Sequence, residues 1–186
     1  MGLIDFLMGR KNLTFDWQAN PNLKVVVDLD RHAVCGAELG GPIARLSGLG
    51  PDDEPRKQTC FFRWRRHGLY VEEDEGRLES FVIELAASPP YSGAWRFRGR
   101  EVALGRGTTR DQARALLGEP FHAYDEPDAP GETVFFYAHP KAEWQLAWDG
   151  EELDSVEVNA YCELSSDRAR ARYGCAKEWP YPVRED

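Results

Sequence analysis

One pattern of residues occurs twice in this chain, and a duplicated pattern confines the fold to two units that resemble each other. Gly76-Arg77-Leu78-Glu79-Ser80-Phe81-Val82-Ile83 reads against Glu151-Glu152-Leu153-Asp154-Ser155-Val156-Glu157-Val158. Leu, an acid, Ser, an apolar residue and then a β-branched one recur in register, with Leu78 on Leu153. The same shift of 75 sets Phe61-Phe62 on Phe136-Tyr137, and Leu69 with Val71 on Trp144 with Leu146. Upstream, a shift of 68 sets Leu49-Gly50 on Leu117-Gly118 and Val34 on Val102. A single insertion in a loop at 119–133 absorbs the difference of seven. Loops accept insertions that paired strands do not.

Each copy reads locally as a short helix followed by a β-meander. Strands are expected at Leu23–Asp30 and Trp95–Arg98, each turning into a short second strand with Val34 or Val102. In the second copy Thr108-Thr109 caps a helix, Asp111 favours its positive N-terminal end, and Ala113, Leu116 and Leu117 form an apolar face. Gly118 and Pro120 stop it. In the first copy Pro42 starts a helical turn with Ile43, Leu46 and Leu49 inward, weakened by Gly48. Three strands close each unit, near 59–64, 69–73 and 78–85, then 133–138, 142–148 and 153–159. Alternation puts Ala142, Trp144, Leu146 and Trp148 on a covered face, with Glu143, Gln145 and Ala147 toward water.

The expected class is therefore α+β: two tandem repeats, each a short helix packed on an antiparallel β-meander. Residues 1–22 form an accessory turn and strand (a turn at 3–8 capping a sheet edge, a strand at 13–17). Repeat 1 spans 23–90, repeat 2 spans 91–160, and 161–186 hold a C-terminal helix, at Ser165–Tyr173, and a tail. Six Trp, nine Phe and seven Tyr supply the core of such a body.

The second copy, Gly105-Arg106-Gly107-Thr108-Thr109 with Ala113-Arg114-Ala115-Leu116-Leu117-Gly118-Glu119-Pro120, then Phe136-Tyr137 and Trp144–Trp148, carries a wider likeness. It resembles the small outer-membrane assembly lipoproteins of the SmpA/OmlA type and the β-lactamase inhibitory protein type, itself a tandem of two helix-plus-sheet units. The resemblance covers 95–159 well and 23–85 more loosely. It implies a non-catalytic scaffold that holds proteins through an open sheet face and loops. No lipoprotein cysteine stands near the start, so the outer-membrane role does not carry over.

A formal charge of −9 argues against nucleic acid or anionic membrane as a partner, because both need a basic footprint. Cys35, Cys60, Cys162 and Cys175 form no Cys-x-x-Cys pair and the start is no secretory signal, so free thiols and a cytoplasmic location are expected. Cys35 and Cys60 fall in expected strands, where small thiols are commonly buried. No nucleophile elbow, zincin motif or P-loop is present. Gly105–Thr109 invites a phosphate, but a capped helix start accounts for each of its residues. His32, His67, His122 and His139 read as surface histidines at turns, and the acid-rich 122–128 loop matches no calcium spacing.

No catalytic residue, metal or cofactor is expected, and the function read from the sequence is a non-enzymatic protein-binding module. Tyr70, Glu72, Glu84, Glu143, Gln145 and Glu157 share the face away from the helices, where Tyr among carboxylates suits a basic protein partner. A polar face is also what solubility alone requires. Such a module neutralises its partner as an inhibitor or toxin-immunity protein does. The rival readings are a small-molecule carrier or hydrolase using His122 and Asp125 in the cleft between copies, and a structural subunit of a larger assembly. Trp64 and Trp148 are candidate contact anchors, with core packing the competing role.

Overall fold

The computed structural model describes residues 12–55 and 59–182. The expected turn at 3–8 lies outside them. Two sheets, short helices and one main core make a mixed α+β body dominated by strands. The smaller sheet holds β1 (Val26–Asp28), β2 (Ala33–Val34), β3 (Ala37–Glu38), β7 (Ala94–Phe97) and β8 (Arg100–Val102). Its order is β3-β2-β1-β7-β8, with β1 and β7 parallel and the other pairs antiparallel. The larger sheet is antiparallel throughout. It contains β4 (Phe61–Trp64), β5 (Leu69–Asp74), β6 (Arg77–Glu84), β9 (His122–Asp125), β10 (Glu132–His139), β11 (Ala142–Asp149) and β12 (Glu152–Asn159). Their order, β4-β5-β6-β12-β11-β10-β9, joins two meanders through the β6–β12 pair.

Register pairs repeat across the chain. Val27↔Val34 and Asp28↔Ala33 in the first hairpin become Trp95↔Val102 and Arg96↔Glu101 in the other when 68 is added. Val71↔Phe81 and Glu72↔Ser80 become Leu146↔Val156 and Ala147↔Ser155 when 75 is added. Both meanders slip register at the same place, between Glu72 and Glu73 and between Ala147 and Trp148. One expected alignment is corrected. Phe62 pairs with Val71 as Phe135 pairs with Leu146, so Phe62 matches Phe135 rather than Tyr137. The second hairpin extends through Ala138↔Glu143 and His139↔Ala142 where the first turns at Arg65–His67. In this register the expected difference of seven is divided between the 119–133 region and this hairpin, not confined to one loop.

Between the sheets, Val27, Leu29 and Trp95 meet Phe62, Trp64, Phe81, Trp144, Leu146 and Trp148 in one buried cluster. Helix α1 (Arg110–Leu117) seats Ala113 and Leu117 in it. The helix starts with a reciprocal capping box between Thr109 and Gln112, which satisfies otherwise orphaned N–H groups. Gly105 N–H also donates to Thr108 Oγ1, so the phosphate-like segment is occupied by its own cap. Where a first helical turn was expected from Pro42 stands a 3-10 helix, Ile43–Leu49, with Ile43, Leu46 and Leu49 buried. It ends at Gly50, whose φ of 77° favours glycine and where a Cβ would lie 2.8 Å from the Ala19 side chain.

Several expectations change. Residues 13–16 are turns rather than a strand, and Trp17 stacks on Trp64 at 6.1 Å. Residues 122–125 are a strand within the expected loop. Cys35 occupies a turn with φ 50° and Cys60 is exposed, whereas Cys175 is buried. All four thiols are free. Trp64 and Trp148 are core residues, their indole N–H groups donated to Gly50 O and Thr108 O. The four histidines are half-buried rather than surface groups. Among the described residues no helix is long and apolar enough to cross a membrane.

Candidate functional site

Alternation along the strands sorts the larger sheet into an inner face on the main core and an outer face. One cross-strand row on the outer face runs Arg63, Tyr70, Val82, Glu157, Gln145, Phe136 and His122. A second runs Phe61, Glu72, Ser80, Asn159, Glu143 and Ala138. A third carries Glu84, Ser155, Ala147, Val134 and Tyr124. The six residues marked by the sequence thus do share one face.

They do not share one environment. A C-terminal strap lies across the second half of that face. It consists of a 3-10 turn, Glu163–Ser165, helix α2 (Asp167–Arg172) capped by Ser166, and the segment up to Pro182. Phe136, Leu164 and Cys175 are buried together, with Phe121, Tyr124, Val134, Tyr173 and Trp179 packed around them. Glu143 is 0 % exposed, so its expected contact with a partner is corrected. Its carboxylate accepts from Leu164 N–H at 3.0 Å and from Gln145 Nε2 at 2.8 Å. Burial, with the Glu163 carboxylate nearby, pushes the group up to about 7 against those hydrogen bonds.

Over the first half the face remains open. Tyr70, Glu72, Glu84 and Glu157 are half-buried there, and Gln145 lies at the margin of the strap. Tyr70 donates its hydroxyl to Glu84 Oε2 at 2.9 Å, and the Arg63 guanidinium covers its ring at 4.8 Å. Glu157 is raised above the usual carboxylate range by burial first, then by Glu163 and Glu72. A cleft of 660 Å³ between sheet and strap is lined by Glu72, Glu157, Glu163, Tyr161, Arg168 and Arg172, among others. A second of 480 Å³, bounded by Asp52 and Phe61, continues it over Tyr70, Glu72 and Glu157. Together they form one groove across the open half, with a floor rich in carboxylates. Phe61 and Tyr161, 61 % and 68 % exposed, stand among its walls.

The phase of Phe61-Phe62-Arg63-Trp64 made Phe61 legible as outward, because Phe62 and Trp64 point inward. Nothing local marked Tyr161, Arg168 or Arg172, whose place depends on where the strap folds back. The hydrolase pair is not assembled. His122 Nε2 bonds Tyr173 O at 2.8 Å beneath the strap, whereas Asp125 Oδ1 accepts from Thr133 Oγ1, an odd number of residues away along β9 and so on the opposite face. Another cavity, of 740 Å³, lies between the β2–β3 side and residues 140–182 and includes His32, Lys141 and Cys162. Its Arg31 is paired with Glu38, and its Arg45 donates to Gly36 O. Among the described residues no group of three or more His, Cys, Asp or Glu is placed to hold a metal ion.

No protein-family model and no curated protein matches the chain. A solved structure of a DUF4309 family protein (YjgB) from Bacillus subtilis is similar over 68 % of this chain and 83 % of that chain. The identity is 14 % and the TM-score 0.46, a likeness that carries no functional argument.

Proposed function

We propose that this chain is a non-enzymatic module, built from two copies of one unit, that binds a basic segment of another protein in the groove over the open sheet face. The observation that carries the reading is the composition of that groove: Glu72 and Glu157 on a rigid antiparallel floor, with exposed Phe61 and Tyr161 beside them. Carboxylates attract Lys and Arg and set the register of an incoming chain. Exposed aromatic rings add cation–π contacts and large apolar area to the same partner side chains. Sites on strands are held more firmly than sites on loops, and Val82 and Glu157 lie at the centre of seven strands.

The duplication is supported by the constant shifts in hairpin register, and by the β6–β12 pair. Under the shift of 75, Val82↔Glu157 maps onto itself and Phe81↔Val158 exchanges with Ile83↔Val156. Such a relation puts a local two-fold axis through the floor of the groove. A partner of this kind is bound and occupied rather than turned over, as by an inhibitor or immunity protein acting in a cytoplasm.

The test uses fluorescent decapeptides of lysine, of glutamate and of alternating glycine and serine, titrated against the purified chain. Binding of the lysine peptide alone, lost at raised salt and in E72Q/E157Q, is the expected result. Preference for a neutral or acidic peptide contradicts the reading. So does a thermal-shift response to small molecules that E72Q/E157Q does not alter.

A further inference from the structure

The second half of the outer sheet face is already covered by the chain itself. Leu164 N–H reaches the Glu143 carboxylate at 3.0 Å, and the Tyr173 ring packs 5.1 Å from Phe136 and 5.0 Å from Tyr124. Tyr173 O meets His122 Nε2 at 2.8 Å, and Lys177 Nζ donates to Phe121 O at 2.7 Å. The strap therefore presents an aromatic anchor and a backbone donor to the sheet and a cation to Phe121 beside it, which is chemistry an outside partner would also use.

Its helix has the sequence Asp167-Arg168-Ala169-Arg170-Ala171-Arg172. Arg168 and Arg172 are exposed and line the same cleft as Glu72, Glu157 and Glu163. A basic segment thus stands at the edge of the acidic floor. The strap is also weakly fixed compared with the strands beneath it. Its apolar seat is the small cluster around Phe136, Leu164 and Cys175, separate from the main core, and α2 has no fully buried residue. Elements with few buried apolar contacts open at lower cost than the whole fold.

We infer that the C-terminal strap is an intramolecular occupant of the sheet face, and that a basic partner segment entering the groove competes with it and lifts it. This rests on the groove being the binding surface. Opening would uncover Phe136, Tyr124 and Val134, which extends the apolar area offered to the partner. Apparent affinity for a segment that reaches past the open half would then be the intrinsic affinity reduced by the fraction of molecules with the strap open.

The test compares the full-length wild-type chain with Tyr173→Ala and Trp179→Ala, using the lysine decapeptide as probe and hydrogen exchange of the backbone amides as second readout. Trp179 touches the rings of Phe121 and Tyr181 at the rim, so W179A leaves the main core intact if Y173A fails to fold. The expected result is tighter binding by the loosened variants, about tenfold if the closed strap leaves roughly a tenth of molecules competent. The peptide should also accelerate exchange at Leu164 and Tyr173 in the wild type. Equal affinity for all three chains with no change at those amides overturns the strap inference and leaves the groove intact as a binding site. No binding to any of the three overturns both.

Discussion

His139 and Glu143 stand four residues apart, at the end of β10 and on β11, and they oppose each other as pH changes. Burial first, then the His32 ring, lowers His139 to about 4 from 6.5. Its ring lies 3.7 Å from that of Trp144. Between those values the unfolded chain holds a proton that the folded chain refuses, so this group makes stability rise with pH from about 4 to 6.5. Glu143, raised to about 7 from 4.5, does the reverse: the folded chain holds the proton, and stability falls as pH rises through that window. Replacing each group should uncover the other. Relative to wild type, E143Q should gain stability with rising pH between 4.5 and 7. H139F should lose its acid sensitivity below 6.5, by up to about 2 kcal/mol after allowance for partial exposure. Urea midpoints at pH 4.5, 5.5, 6.5 and 7.5 check both signs; parallel curves for all three chains would contradict the assignments.

At the level of elements, α1 is held at its start by the Thr109–Gln112 box and at its end by Gly118 N–H on Arg114 O. Thr109→Ala should destabilise the chain by about 1 kcal/mol, because a helix N–H donor is left without a partner. Denaturant unfolding measures this, and a loss below a few tenths would mean that packing of Ala113 and Leu117 alone fixes the helix. This cap was legible in the sequence because it is local chemistry: Thr108-Thr109, Asp111 in the first turn and Gly118 at the end lie within one short stretch. The meander strands were legible for a related reason, since Ala142, Trp144, Leu146 and Trp148 alternate with polar residues over a half-buried surface. The strand at His122–Asp125 was not, because its pairing with Thr133–Phe136 lies across a proline-containing connection. Glu143 shows the limit for the site. Its alternation phase placed it on the outer face correctly, but its burial depends on Leu164, which arrives from a segment beyond the strand. The opposite case is Phe61, whose exposure follows from the inward phase of its two neighbours.

For the whole molecule, the division between one main core and a separate strap cluster predicts two classes of substitution. Trp144→Ala removes a fully buried ring between the sheets and should cost about 3–5 kcal/mol, lowering protection of every strand together. Trp179→Ala should raise exchange only in the strap and along β9, with little change in global unfolding. A common loss of protection in both variants would mean that strap and sheet form one cooperative unit. The sheet itself is continuous across both meanders, with Val82 and Glu157 in the middle of its outer face. That face is the proposed binding platform. Amide chemical-shift mapping of the labelled chain during titration with the lysine decapeptide tests it most directly. Shifts concentrated at Tyr70, Glu72, Ser80, Glu157 and Tyr161 are the expected result; shifts confined to the cavity around His32 and Lys141, or none at saturating peptide, would contradict binding on this face.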